Sequence, residues 1–393
     1  MARPGAASHR VCPVTVLWDE RFLHYDFGPG HPFSETSRAA AVDLLEELRY
    51  FDGDRRTQER AFEPATAEEL GRFHTPTYLH RVERISGSAR RALLDAGDTP
   101  SFPGCYDAAA RLAGGTLRGL RIVDEQPDRH AFQPGGGLHH AHPGNASGFC
   151  IFNDVAVALA TFLAPGTARR AAYIDIDVHH GDGVMYGFYG DGRLLDIDFH
   201  QDGRTLFPGT GAIAETGTGD GQGLKVNVPF APGTGSAGFL EAFRSIVPAM
   251  IRAHRPELIV VQAGVDGHEG DRLGQLAYGR EAYFEAIRIV HDLAHEVAGG
   301  RLLVTGGGGY RPENVSRVLA QDALVLGGAS ADVPPGGPLP LGWSERFRQR
   351  TGEPPPADWG PSVPRDAREG ELEAIGSILR ELEANLGRPL RGE

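Results

Sequence analysis

Tyr173-Ile-Asp175-Ile-Asp177-Val-His179-His180-Gly181-Asp182-Gly183 is the stretch on which the reading of this chain turns. Period-2 alternation puts Asp175 and Asp177 on one side of a buried strand over 171–177, with His179 continuing that row as the strand ends. Two carboxylates and an imidazole leaving a dry sheet together need a cation, or a dense hydrogen-bond network, to offset desolvation. The mixed oxygen and nitrogen donors suit Zn²⁺ or another first-row divalent ion such as Fe²⁺. The plainer alternative is a capped strand end bonding its own loop; so many ionisable groups in one segment speak against it.

Outward from this strand, short apolar runs recur at Val14–Leu17, Ala131–Gln133, Leu194–His200, Leu224–Pro229, Leu258–Ala263 and Leu302–Thr305. Between them Ser37–Leu48, Ala108–Val123, Asn153–Leu163, Gly238–Ala253, Glu281–Ala298 and Glu313–Leu326 carry a spacing near 3.6. The alternation predicts an α/β fold: one domain with a mostly parallel central sheet and helices on both faces. The unbroken run Leu258-Ile-Val-Val261 fits a strand buried on both sides. A catalytic domain over 1–327 is expected, followed by an extension over 328–393. In the extension Val333–Leu341 and Glu353–Pro364 are rich in Pro and Gly, and a final helix is expected over Ala367–Leu386. Trp343 and Trp359 predict that the extension docks on the main domain, since exposed indoles are costly.

Composition narrows the function. The 393 residues include 39 basic and 52 acidic side chains, a net charge of −13, with 40% hydrophobic and 23% charged residues. That much apolar material excludes disorder as the main state. Lys225 is the only lysine; the other basic residues are scattered arginines outnumbered by carboxylates, which argues against nucleic acid as partner. Cys12, Cys105 and Cys150 lie far apart without CxxC spacing, so neither a disulfide framework nor a thiolate zinc site is expected, and the compartment reads as reducing. Met1–Arg10 has no apolar core and no stretch reaches 18 uninterrupted apolar residues, which predicts a cytoplasmic protein with no membrane contact.

Polar residues gather where apolar strands end, the place where open α/β sheets bind ligands. Asp266 follows Val260-Val-Gln-Ala-Gly-Val and precedes Gly267. Alone it reads equally well as a loop cap; beside Asp177 and His179 it becomes the third ligand candidate, and three protein ligands leave coordination positions open for water and substrate. In Gln133-Pro-Gly-Gly-Gly137-Leu-His139-His140, two imidazoles leave a strand end together, able to deliver one proton and take up another. Asp175 and Asp182 are their candidate orienting carboxylates. The glycines of Gly306–Gly309 can place the phenol of Tyr310 where negative charge develops. The loop lacks the Lys and Ser/Thr of a phosphate-binding loop. Phe149, in Gly148-Phe-Cys150, and Phe207, in Leu206-Phe-Pro, can wall a slot for a linear apolar chain. Cys150 as a nucleophile is unnecessary beside a metal.

Together these residues resemble the zinc-dependent histone deacetylase family, on the arginase/deacetylase fold that also holds acetylpolyamine amidohydrolases and bacterial acetoin-utilisation proteins. The matching stretches, in order between about 15 and 327, are His31-Pro-Phe, Gln133 to His140, Gly148 to Asp154, Asp175 to Gly183, Phe207 to Gly211, Gly264-Val-Asp266 and Gly306 to Tyr310. The resemblance implies zinc on Asp177, His179 and Asp266. It implies an acid/base pair in His139 and His140 with Asp175 and Asp182 behind them, and carbonyl polarisation by Tyr310. It places Phe149 and Phe207 along an acyl-lysine tunnel, with the Gly148 carbonyl near the substrate amide. Asp98 and Leu273 are further candidate substrate-binding residues. It also implies a structural K⁺ at Asp175, Asp177, His179, Asp198 and Phe199.

Two second-metal carboxylates of arginases are replaced here by Gly181 and His268, so one catalytic metal is expected. Asp198 stands where the family usually has a small hydroxyl residue, and Asp271-Arg-Leu273 replaces its Asp-Pro-Leu. Val265-Asp-Gly-His268 and the tail length lean toward the bacterial acetoin-utilisation branch. The expected activity is zinc-dependent hydrolysis of acetyl-lysine on proteins. The alternatives are an acetylpolyamine amidohydrolase, taking an acetylated small amine, and a non-catalytic acyl-lysine binding module.

Overall fold

The structure, a computed structural model, describes residues 11–88, 91–95, 97–328, 336–360, 367–387 and 389–390. The Met1–Arg10 reading and parts of both Pro/Gly-rich stretches (333–335 and 361–364) lie outside the described residues.

Eight strands form one sheet: β1 Val14–Leu17, β2 Arg56–Glu59, β3 His130–Gln133, β4 Ala171–Asp175, β5 Leu194–Gln201, β6 Lys225–Phe230, β7 Leu258–Gln262 and β8 Leu302–Thr305. Their order is β2-β1-β3-β8-β7-β4-β5-β6, and every pair is parallel. Eleven α-helices are found among the described residues: α1 Thr36–Glu47, α2 Ala67–Leu70, α3 Pro76–Ser86, α4 Cys105–Glu125, α5 Asp154–Phe162, α6 Asp182–Gly187, α7 Ser236–His254, α8 Arg280–Val297, α9 Pro312–Leu326, α10 Leu341–Thr351 and α11 Glu371–Leu386. None is long and apolar enough to cross a membrane.

The two faces of each strand feed two cores. Ile174, Ile197, Ile259, Val261 and Val304 pack with α1, α7, α8 and α9, while Tyr173, Leu258, Val260 and Leu303 pack with α4 and α5. Both faces are dry, so β7 is apolar without alternation. The edge strand β2, Arg-Thr-Gln-Glu, shows no apolar period and is invisible to a hydrophobic scan. At the opposite edge Lys225 is fully buried; its Nζ donates to Leu194 O at 2.7 Å, and burial pulls its pKa down to about 8 against the pull of Asp196.

The strand expected over 171–177 ends earlier, at Asp175. Beyond Ile176, whose N–H still reaches Gln262 O, the backbone donors turn to carboxylates. Asp177 N–H donates to Asp175 Oδ1 at 3.1 Å, Val178 N–H to Asp266 Oδ1 at 2.9 Å and His179 N–H to Asp177 Oδ1 at 3.0 Å. Side chains thus take over the ladder, and Asp177 and His179 ride on a loop rather than on the strand.

The described part of the tail lies on the sheet-covering helices. Trp343 of α10 is fully buried and donates to Ala40 O at 2.7 Å, while Arg350 pairs with Asp43 and Glu20. Glu371, opening α11, accepts from Gly235 N and Gly238 N at 3.0 and 2.9 Å, so its carboxylate caps α7.

Candidate active site

The sheet order places β8 and β7 between β3 and β4, which are consecutive in sequence. The loops after these four strands therefore converge on one crevice at their C-terminal ends, where the two directions of winding part. β3 sends His139 and His140, β4 sends Asp177 and His179, β7 sends Asp266, and β8 sends the glycine loop with Tyr310.

Asp177, His179 and Asp266 are buried, and one donor atom from each lies within 4.8 Å of the other two. Nδ1 of His179 sits 3.1 Å from Asp177 Oδ1 and 3.2 Å from Asp266 Oδ2. Oδ2 of Asp266 meets the geometry of no hydrogen bond among the described residues. Burial and the Asp177 charge push Asp266 up to about 7. Burial opposes a charge on His179, yet the two carboxylates overcome it and hold the imidazole proton to about 10. The pair of carboxylates thus demands positive charge, which a divalent ion on the same three donors would meet. Gln262 Nε2 and Gly308 N–H both donate to Asp177 Oδ2 at 2.7 Å and fix its direction. A Cβ at Gly308 would collide with the carboxylates of Asp266 and Asp177, so only glycine fits there.

Beside this cluster stand the two tandem imidazoles. His139 Nδ1 is 2.7 Å from Asp175 Oδ2 and His140 Nδ1 is 2.7 Å from Asp182 Oδ1; their Nε2 atoms face each other at 3.0 Å. Burial lowers both pKa values in principle, but Asp175 and Asp177 outweigh it at His139 and raise it to about 9. At His140 burial and the neighbouring His139 charge prevail over Asp182, giving about 4. Asp182 is held well below the usual carboxylate range because its bonds to His140 and His142 overcome its burial.

A slot of about 190 Å³ leads to these groups, lined by Asp98, His140, Gly148, Phe149, His179, Leu206, Phe207, Leu273 and Tyr310. Gly148 and Phe149 form the two-residue corner of a hairpin closed by Ser147 and Cys150, both at positive φ, 51° and 67°. Left-handed backbone at a phenylalanine is costly and uncommon. The Phe149 N–H donates to Thr99 Oγ1 at 3.0 Å and its carbonyl accepts from Tyr25 Oη at 2.7 Å, holding the turn in place. A Cβ at Gly148 would land on the rings of His140 and Phe207. Tyr310 stands across the slot from Phe149, ring centroids 6.1 Å apart, with its backbone N–H donated to Asp271 Oδ2 at 2.8 Å.

At the slot's mouth, burial and the neighbouring Asp95 raise Asp98 to about 6. The candidate monovalent-ion residues split. Asp198 lies opposite Asp175 in the sheet and accepts from Gly181 N at 2.6 Å, whereas the Phe199 ring packs in the core against Phe239 and Phe243. Burial and the carboxylates of Asp175 and Asp196 push Asp198 well above its ordinary range. Three contributors were missed by sequence reasoning: Leu206 in the slot wall, Gln262 behind Asp177 and Asp271 behind Tyr310. Leu206 immediately precedes Phe207 and Gln262 is the polar residue closing an apolar strand, a pattern that could have flagged both. Asp271 opens the Asp271-Arg-Leu273 stretch that stands in place of the family's Asp-Pro-Leu, which marked its position but not its bond to the Tyr310 backbone.

Comparison with known proteins agrees across the chain. Residues 31–326 match the histone deacetylase domain family. The chain is 35% identical to the acetoin utilization protein AcuC of Bacillus subtilis (strain 168) over 363 residues, covering 89% of this chain and 92% of that protein. It is 35% identical to histone deacetylase B of Dictyostelium discoideum over 322 residues, covering 80% and 73% respectively. The solved structure of the HDA15 HD domain superposes with a TM-score of 0.74 at 26% identity, over 96% of this chain and all of that one.

Proposed function

We propose, from the premise that this chain belongs to the histone deacetylase family and is a hydrolytic deacetylase, that it removes acetyl groups from lysine side chains of proteins with one catalytic Zn²⁺. The observation that carries this reading is the pair of carboxylate-backed imidazoles at the inner end of a narrow, aromatic-walled slot, beside three converging metal donors.

Asp177, His179 and Asp266 would hold the ion, whose chemistry there would be to lower the pKa of a water toward about 7 and to polarise the acetyl carbonyl. Nε2 of His140, whose ring Asp182 orients, accepts the proton of the attacking water. The His139–His140 pair then returns a proton to the leaving amine nitrogen. Tyr310 donates its hydroxyl hydrogen to the oxygen that gains negative charge. Phe149 and Phe207 flank the methylene chain, the Gly148 carbonyl accepts the substrate amide N–H, and Leu273 and Asp98 meet the substrate at the mouth. Asp175, Asp177, His179, Asp198 and Phe199 would hold a structural K⁺. Residues 1–327 form the catalytic domain, on which the 328–393 extension docks through Trp343 and α11. The reducing composition supports a cytoplasmic location.

A second substrate, an acetylated polyamine, is favoured by Asp95 and Asp98 together in the depression at the slot's mouth, although Arg81 there opposes it. Acetate release from an acetyl-lysine peptide and from acetylspermidine tests the assignment. A kcat/KM higher for the peptide supports the protein substrate, and the reverse order rejects it.

A further inference from the structure

Cysteine spacing predicts no thiolate metal site, yet the fold assembles a buried cluster from four separate segments at the opposite rim of the sheet. Cys12 precedes β1, His130 opens β3, and His291 and His295 sit one turn apart on α8. One donor atom from each of the four lies within 4.8 Å of all the others. The three imidazoles form a triangle with ring centroids 4.8–5.0 Å apart. Cys12, His130 and His291 are at most 2% exposed, and the His295 side chain is 10% exposed.

From this geometry we propose that Cys12, His130, His291 and His295 bind a second, structural metal ion of the Zn²⁺ type, separate from the catalytic centre.

The donor set is one thiolate and three imidazoles, which suits Zn²⁺ in a closed tetrahedral site. The tautomer of His130 fits the role. Its Nδ1 lies 3.0 Å from Gly300 O and donates to it, which leaves the Nε2 lone pair free to ligate. That Nε2 is fully buried and has no hydrogen-bond partner among the described residues, a costly state for a polar atom that a metal bond would relieve. Asp128 Oδ1 lies 3.5 Å from Nδ1 of His295, where an outer carboxylate steadies a ligating imidazole. Bonds of about 2.0–2.3 Å in a tetrahedron place donors roughly 3.3–3.7 Å apart, so closure from separations within 4.8 Å needs a contraction of up to about 1.5 Å. Cys12 Sγ now donates to Leu326 O at 3.0 Å; metal binding replaces that bond and releases the thiol proton.

Cobalt substitution separates this site from the catalytic one, whose three donors include no thiolate. The full-length protein is stripped of metal, reloaded with Co²⁺ and examined for a thiolate-to-cobalt charge-transfer band in the near ultraviolet. The band is expected in the wild type, is retained in Asp177→Asn and is lost in Cys12→Ser. In Zn²⁺-grown protein the content should fall from two ions per chain to one in Cys12→Ser and in His291→Gln, with deacetylase activity retained. Absence of the band in the wild-type protein, which needs no variant to fold, overturns the proposal. So does a band that survives Cys12→Ser, or equal zinc content in wild type and Cys12→Ser.

Discussion

Nε2 of His139 faces Nε2 of His140 at 3.0 Å, while each Nδ1 is already turned to its own carboxylate. With both Nδ1 protons given to Asp175 and Asp182, two bare Nε2 lone pairs would repel. A proton between the rings removes that repulsion, and the directions of the two shifts, up at His139 and down at His140, favour His139 as its holder. The imidazole pair then shares a single proton at its Nε2 atoms. His140→Ala should lower kcat by about 10²–10⁴ with metal content unchanged, as measured by acetate release and metal analysis. A variant that keeps wild-type kcat would remove His140 from the mechanism.

Tyr310→Phe removes one hydroxyl and keeps the ring against Phe149. If the phenol acts on the oxyanion, kcat and kcat/KM should fall together by about 10²–10³ while KM hardly moves. A change confined to KM would make Tyr310 a wall of the slot.

Asp198 adds a carboxylate to the proposed K⁺ site, and hard cations favour charged oxygen ligands. Asp198→Ser should therefore need more K⁺ to reach half-maximal activity than the wild type. Superimposable K⁺ titrations would show that Asp198 does not bind the ion.

His74, away from the reacting groups, gives the chain an acid sensitivity of its own. Its Nδ1 lies 3.1 Å from His142 O and its Nε2 accepts from Asn153 N–H at 3.0 Å, an arrangement that only neutral imidazole satisfies. Burial lowers its pKa from 6.5 to about 4, against the backbone bonds it makes to His142 and Pro143. Below pH 6.5 the unfolded chain takes up a proton that the folded one refuses. Stability is thus complete above the unfolded pKa and falls by on the order of 3 kcal/mol as pH drops toward 4. In urea unfolding at pH 7 and pH 5, His74→Gln should lose less stability than the wild type between the two.

The sequence exposed the sheet because its interior strands are buried on both faces and must be apolar, as Leu258–Val261 illustrates. It exposed His139, Asp177, His179, Asp266 and Tyr310 because polar residues that end such strands have few structural uses. β2 and α10 were not legible, since an edge strand and a helix carrying only Trp343 and Phe347 inward have no strong period. Nor was the grouping of Cys12 with His130, His291 and His295, which depends on which strand lies beside which. The end of β4 at Asp175 also escaped, because carboxylates replaced the next strand as acceptors.

Under the proposed protein-lysine activity, the burial of Lys225 keeps this chain out of its own slot. With the chain's one ε-amine sealed beneath Leu194, no lysine is offered to acetyl donors or to a second copy's slot. Acylation that marks other proteins has no lysine handle on this one. An acetyl-lysine signal in a mixture of enzyme and substrate protein therefore reports on the substrate alone.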